Sequence, residues 1–247
     1  MIDVIDAIDA IDARGADLEG LRKQATRWLK ALRAGDTAAF ERLVRVLPEH
    51  GERPGLREVQ QALAREHGFA SWAALKEHLE VLALERGGDE ALLGEFLQHA
   101  CIFSGGALDF PSKWRRADRI LARHPAIARA NLHTAVVCGD LEHATALLAR
   151  DPELVTGRAG PQAWEPLLFA CYGRLSDPRV ARHSVAIAEL LLDCGADPNT
   201  FCVVGGLRFT ALTGVMGQGE MSAPEHVCAE ELARLLLDRG ASPNDSQ

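Results

Sequence analysis

Chemistry in this chain would have to come from its nine histidines, its six cysteines and its many carboxylates. A nucleophilic triad needs Ser or Cys converging with His and a carboxylate, and no local signature such as G-x-S-x-G is present. His99/Cys101 and His133/Cys138/His143 lack the i, i+4 or C-x-x-C spacing of a dedicated metal site, so neither a metal nor a cofactor is expected. Phosphate cradling is not expected either. The G-x-x-x-x-G-K-[ST] string is absent, and the Gly205-Gly206 pair lies in a connecting loop rather than between a strand and a helix. The enzymatic alternative would draw on His183, Asp177, His226 and Glu220, which fall in or beside two irregular stretches of the second half.

The elements that must position these groups are helical. The chain has 247 residues, 47% of them hydrophobic and 25% charged, with 5% aromatic content and a single tyrosine, Tyr172. An Ala/Leu-rich balance poor in aromatics predicts an all-α chain of one large or two small domains. No run approaches the ~18 apolar residues of a membrane span, so no membrane partner is expected. A net charge of −8 provides no basic field for nucleic acid. The cysteines are scattered and several lie in apolar helical stretches. With no secretory signal pattern at the N-terminus, they predict a reduced, cytoplasmic setting.

Residues 2–12 read IDVIDAIDAID, and a period of three drifts off one helix face by about 60° per step, so residues 1–14 read as a flexible acidic arm. The alternative is an amphipathic helix that forms on a partner. Residues 15–88 read as an N-terminal helical block. Leu21, Ala25, Trp28, Leu29 and Leu32 make one stripe before Gly35-Asp36, and Phe40, Leu43, Val44 and Leu47 make a second. Val59, Leu63 and Ala64 carry a third helix that stops at His67-Gly68. A fourth, with Leu75, Leu79 and Leu82, opens at the N-cap Ser71. Gly87-Gly88-Asp89 reads as the joint between this block and the remainder of the chain.

The second half repeats itself. LLLDCGADPN (Leu190 to Asn199) lies on LLLDRGASPN (Leu235 to Asn244) at a shift of 45, which also puts Leu167 on Leu212 and Ile187 on Leu232. A shift of 35 places Leu132 and Ala135 on Leu167 and Ala170, and a shift of 43 places Ala144, Leu147 and Leu148 on Ile187, Leu190 and Leu191. A weaker copy has Phe96, Leu97, Ala100 and Cys101 in its first helix and Ala117, Ile120 and Leu121 in its second. Gly195 and Gly240 follow Leu-rich turns, where a left-handed residue after the helix is least costly without a β-carbon. A shift of 104 carries Trp28, Ala31, Gly35, Asp36 and Leu43 onto Leu132, Ala135, Gly139, Asp140 and Leu147, so the N-terminal block is either a divergent cap of the same stack or an independent helical domain.

These strings resemble the ankyrin repeat. Its first helix opens on a T-P-L-H-x-A-A-like string, matched by Asn131-Leu132-His133-Thr134-Ala135, Glu165-Pro166-Leu167-Leu168-Phe169-Ala170 and Phe209-Thr210-Ala211-Leu212. The two Gly-Ala endings match its tail. The likeness is clear over residues 131–245, and Arg65 to Glu80 is also similar to a segment that precedes repeats in some bacterial ankyrin proteins. The resemblance implies an ankyrin-type helical solenoid over residues 89–247, with units near 92–129, 130–162, 163–207 and 208–247, each touching only its neighbours. It places His133 at a structural position of the first helix. It also implies a non-enzymatic module that binds a protein partner through finger loops and a concave face, inhibiting or scaffolding it.

The connections Thr156 to Ala163 and Thr200 to Arg208 occupy the finger positions, so Arg158, Trp164, Phe201, Val203, Val204 and Arg208 become contact candidates by resemblance. The bland alternative packs Trp164 beside Pro166 and pairs Val203/Val204 as a short strand. Two units are longer than the usual ~33 residues, because residues 173–183 and 214–226 intervene between helices, and Pro178 and Pro224 argue against continuous helix there. These stretches are either neutral drift or partner-contacting elaborations, and the second reading draws on Arg174, Arg179, Arg182, Met216 and Met221, of which Arg174, Met216 and Met221 complete the expected contact set. The last tail ends without a polar helix pair over it. This predicts either a longer natural chain or a docked end, and leaves the oligomeric state open.

Overall fold

Gly-Asp and His-Gly steps interrupt the apolar stripes, and each of them ends a helix in the computed structural model of the chain, which describes residues 17–51, 53–102, 110–217 and 225–243. The proposed arm 1–14, Glu220, Met221, Pro224 and residues 244–247 lie outside the described residues. The chain divides at Gly88 into two units.

The first unit contains α1 (Leu18–Arg33), α2 (Thr37–Val46), α3 (Leu56–Glu66) and α4 (Trp72–Arg86). Asp36 caps α2 by accepting from the Ala39 amide at 3.0 Å, and Ser71 accepts from Ala74 at 3.1 Å at the start of α4. Leu21, Trp28 and Leu32 of α1 meet Leu43, Val59, Leu63, Leu75 and Leu79 in one core. Trp28 is fixed at both its polar and its π faces. Its Nε1 donates to the Ala39 carbonyl at 3.0 Å, while the Arg42 guanidinium sits 3.8 Å above the ring and pairs with Glu66 at 2.6 Å.

The second unit is a succession of helix pairs. These are α5 (Asp89–Ala100) with α6 (Phe110–Arg123), α7 (Leu132–Val137) with α8 (Leu141–Arg150), α9 (Pro166–Tyr172) with α10 (Pro178–Asp193), and α11 (Ala211–Val215) with α12 (Ala229–Asp238). The first helices form a row, α5 on α7, α7 on α9 and α9 on α11; α8 lies on α10, and α10 on α12. A single hairpin, β1 (Phe201–Val204) with β2 (Leu207–Thr210), joins the third pair to the fourth, so the described chain is predominantly rather than wholly helical.

The duplicated endings fold alike. Gly195 and Gly240 have φ of +98° and +95°, the amides of Ala196 and Ala241 both reach back to Leu191 and Leu236 at 2.9 Å, and an L-residue at either glycine would be strained. The pair of turns related by the shift of 104 is equally alike: Asp36 to Ala31 at 3.1 Å and Asp140 to Ala135 at 2.9 Å, with Gly35 and Gly139 both at positive φ. Asn199 ties one ending to the next, donating to the Gly240 carbonyl at 3.1 Å and accepting from the Ser242 amide at 2.7 Å.

Two expectations are corrected. Residues 173–183 are not an irregular insertion throughout, because Pro178 is the first residue of α10 behind the N-cap Asp177. There its missing N–H costs nothing and its fixed φ suits the first turn. Contact is also not confined to successive pairs. The Arg174 amide donates to Ala100 at 2.8 Å and the Ile102 amide to Tyr172 at 3.0 Å, so the end of α5 bonds across to the end of α9. With only six residues, α7 is too short to separate them.

Candidate interaction site

Two of the connections that precede first helices are built differently. In residues 157–165, Gly160 at φ +72° and Ala163 at φ +51° curl the chain so that Ala159 and Trp164 exchange backbone hydrogen bonds at 3.1 Å. The curl turns inward. Gln162 donates to the Leu97 carbonyl at 3.4 Å, Pro161 packs against Gly94, and a β-carbon on Gly160 would stand 3.4 Å from both Leu97 and Phe169. Trp164 is 3% exposed, with ring centroids 4.9 Å from Tyr172 and 5.5 Å from Phe169. It is a core residue and not a contact residue, because an indole beside two aromatic rings gains more from burial than from water. Arg158 stays exposed and pairs with Glu165 at 3.1 Å, whose other oxygen accepts from Thr200 at 2.8 Å.

The second connection projects. Gly205 and Gly206, at φ +58° and +83°, supply the two left-handed residues that a tight I′-type hairpin turn demands, and β1 and β2 pair in the register Phe201↔Thr210, Cys202↔Phe209, Val203↔Arg208 and Val204↔Leu207. That register puts Phe201, Val203 and Arg208 on one face. The Arg208 guanidinium lies 3.7 Å over the Phe201 ring, a cation–π contact that holds both side chains flat. Phe201 is 41% exposed, Val203 60% and Leu207 63%. The base is anchored: the Ala211 amide donates to Thr200 at 3.0 Å, and the buried Tyr172 hydroxyl donates to the Thr210 carbonyl at 2.9 Å. Leu207 was not among the sequence candidates. Its signal was the V-V-G-G-L-R-F sequence, a two-glycine turn flanked by strand formers.

The remaining candidates separate. Met216 lies just past α11 and is 48% exposed. Arg174 is not available as a contact, because its guanidinium is buried among the carbonyls of Cys171, Gly173 and Gly214 at 2.8–3.0 Å, and burial lowers its pKa to about 10. Burial likewise pushes the neighbouring Cys101 and Cys171 thiols up to about 12, which makes them inert nucleophiles. Two of the first helices offer little surface. Every residue of α7 and α9 is buried, and the His133 Nε2 is hydrogen-bonded to the Gly157 carbonyl at 2.9 Å, tying the first connection to α7.

The residues of the enzymatic alternative engage separate partners. His183 Nδ1 meets the Gly139 carbonyl at 2.8 Å, Asp177 caps α10 and pairs with Arg179, and His226 accepts from the Cys228 amide at 3.0 Å. Burial lowers the His226 pKa to about 3, reinforced by the charge of Arg174. Among the described residues no three His, Cys, Asp or Glu side chains are grouped to hold a metal ion, and no helix is long and apolar enough to cross a membrane. Comparison of the chain with protein-family models, with curated proteins and with solved structures finds no match.

Proposed function

We propose that residues 89–247 form an ankyrin-type solenoid and that the chain works in the cytoplasm as a non-enzymatic module binding another protein, with hairpin 201–210 as its contact element. The alike endings at Gly195 and Gly240, the row of first helices and the Asn199 bridge support the solenoid reading. The observation that carries the binding reading is the hairpin itself, which holds Phe201, Val203 and Leu207 in solvent on an anchored scaffold. Burying such side chains against a partner contributes about 1.5–3 kcal/mol each, and a preformed turn loses little conformational entropy on docking. The burial of α7 and α9 shifts contact away from the concave face and toward the hairpin.

The test is affinity capture from the native host with the wild-type chain and with Val203→Glu, followed by titration of the purified captured protein. A charge on an exposed strand face leaves folding intact. The expected result is an affinity at least tenfold weaker for the variant with an unchanged melting temperature. Equal affinity would remove the hairpin from the interface.

A further inference from the structure

The acidic stretch of residues 2–12 has an electrostatic counterpart in the first unit. Helix α1 carries Arg22, Lys23, Arg27, Lys30 and Arg33 against one carboxylate, Glu19. At 100° per residue the five cations fall within about 140° of arc, on the side of the helix away from the buried Leu21, Ala25, Trp28, Leu29 and Leu32. All five are exposed. Lys23 pairs with Glu19 at 2.6 Å, whereas Arg22, Arg27, Lys30 and Arg33 enter no ion pair among the described residues. Lys23 and Arg27, Arg27 and Lys30, and Lys30 and Arg33 are like-charged neighbours at three- and four-residue spacing, which opposes the helix. The helix dipole accounts for Lys30 and Arg33 in the last turn, but not for Arg22, Lys23 and Arg27.

We infer that Asp3, Asp6, Asp9 and Asp12 of the same chain lie over this cationic face, as a tethered acidic cover running antiparallel to α1. Residues 2–12 hold these four carboxylates and no cation, and residues 13–17 alone separate them from the helix. Helix hairpins reverse within about two to five residues. Such a reversal brings Asp12 to Arg22 and Lys23, and Asp3 to Lys30 and Arg33. The lengths agree. Arg22 to Arg33 spans about 16 Å along the helix axis at 1.5 Å per residue, and Asp3 to Asp12 spans about 14–30 Å from helical to extended backbone. An exposed ion pair contributes little by itself, but a short tether holds the four carboxylates at an effective concentration in the millimolar range. Any other anion must displace the arm to reach α1. This contact is independent of the binding reading of hairpin 201–210.

The test uses the full chain, labelled with 15N and carrying a nitroxide on a ketone-bearing residue at position 2, so that the six cysteines stay unmodified. At low salt, paramagnetic broadening is expected to be greatest at the Lys30 to Arg33 amides and to persist when the protein is diluted tenfold. With Asp3→Asn, Asp6→Asn, Asp9→Asn and Asp12→Asn combined, the broadening at Lys30 to Arg33 should fall at least fivefold. The remaining effect should then be greatest at Leu18 and decline along α1, as for an arm held by its tether alone. Salt at about 1 M should produce the same change in the unsubstituted chain, because it screens exposed charges. Broadening that already declines from Leu18 to Arg33 at low salt overturns the cover, as does a pattern that the four Asn substitutions leave unchanged. A mixed sample, with nitroxide and 15N on different molecules, should show no broadening of α1. Broadening there would assign the face to a second copy and overturn the intramolecular contact.

Discussion

Residues 157–165 and 200–210 stand at the same place in successive helix pairs, yet one connection turns in and the other out. In the first, Trp164 is drawn under the aromatic cluster of Phe169 and Tyr172, and Gly160 lets the chain close onto Leu97. In the second, two glycines build a turn stiff enough to hold Phe201 and Val203 away from the core. A repeat position therefore fixes where a connection begins and ends, while its aromatic and glycine content decides whether it serves folding or display.

Breaking the inward connection should have the largest effect. Trp164→Ala removes a buried indole and is expected to cost about 3–5 kcal/mol in urea unfolding of the full chain, with binding lost only as the fold is lost. If Trp164→Ala left stability unchanged, the contrast between the two connections would fail.

Acid separates them next. Burial holds the His133 pKa below its usual value, against the opposing influence of its bond to the Gly157 carbonyl, and burial lowers His226 to about 3. Both rings take a proton near pH 6.5 once unfolded but resist it when folded. Stability is complete above that pH and falls as pH drops from about 6.5 toward 3, by an amount on the order of a few kcal/mol. His226→Gln should flatten this decline in unfolding experiments between pH 7 and pH 4, and a decline of the same steepness in the variant would contradict the assignment.

The hairpin's anchor comes third. Tyr172→Phe leaves the Thr210 carbonyl without its buried donor and is expected to cost about 1–2 kcal/mol, with faster amide exchange in β2. Smallest of all, Phe201→Ala should change stability by no more than about 0.5 kcal/mol while weakening partner affinity. A large stability loss there would make Phe201 a packing residue.

Much of the fold was legible in the sequence. Helix stops at Gly35, Gly68, Gly139, Gly195 and Gly240 follow from the cost of left-handed backbone, and the core residues of the first unit from helical spacing. Pro178 misled because proline both breaks a helix and opens one, and only the N-cap Asp177 distinguishes the cases. The fates of Trp164 and Arg174 were hidden for other reasons. Arg174 depends on a partner distant in the chain, the Gly214 carbonyl, which no local pattern encodes, whereas Trp164 packs on Phe169 and Tyr172 of the helix that directly follows it, a case where the sequence left packing and display both open. The strand pairing that carries Phe201, Val203 and Arg208 was readable because a hairpin is a local structure.

The most direct test of the contrast is photo-crosslinking with benzoylphenylalanine placed singly at position 203 and at position 162 of the full chain in its native host. The account predicts a discrete protein adduct from position 203 and none from position 162. An adduct from position 162 alone would contradict it, showing that the inward connection carries the interface.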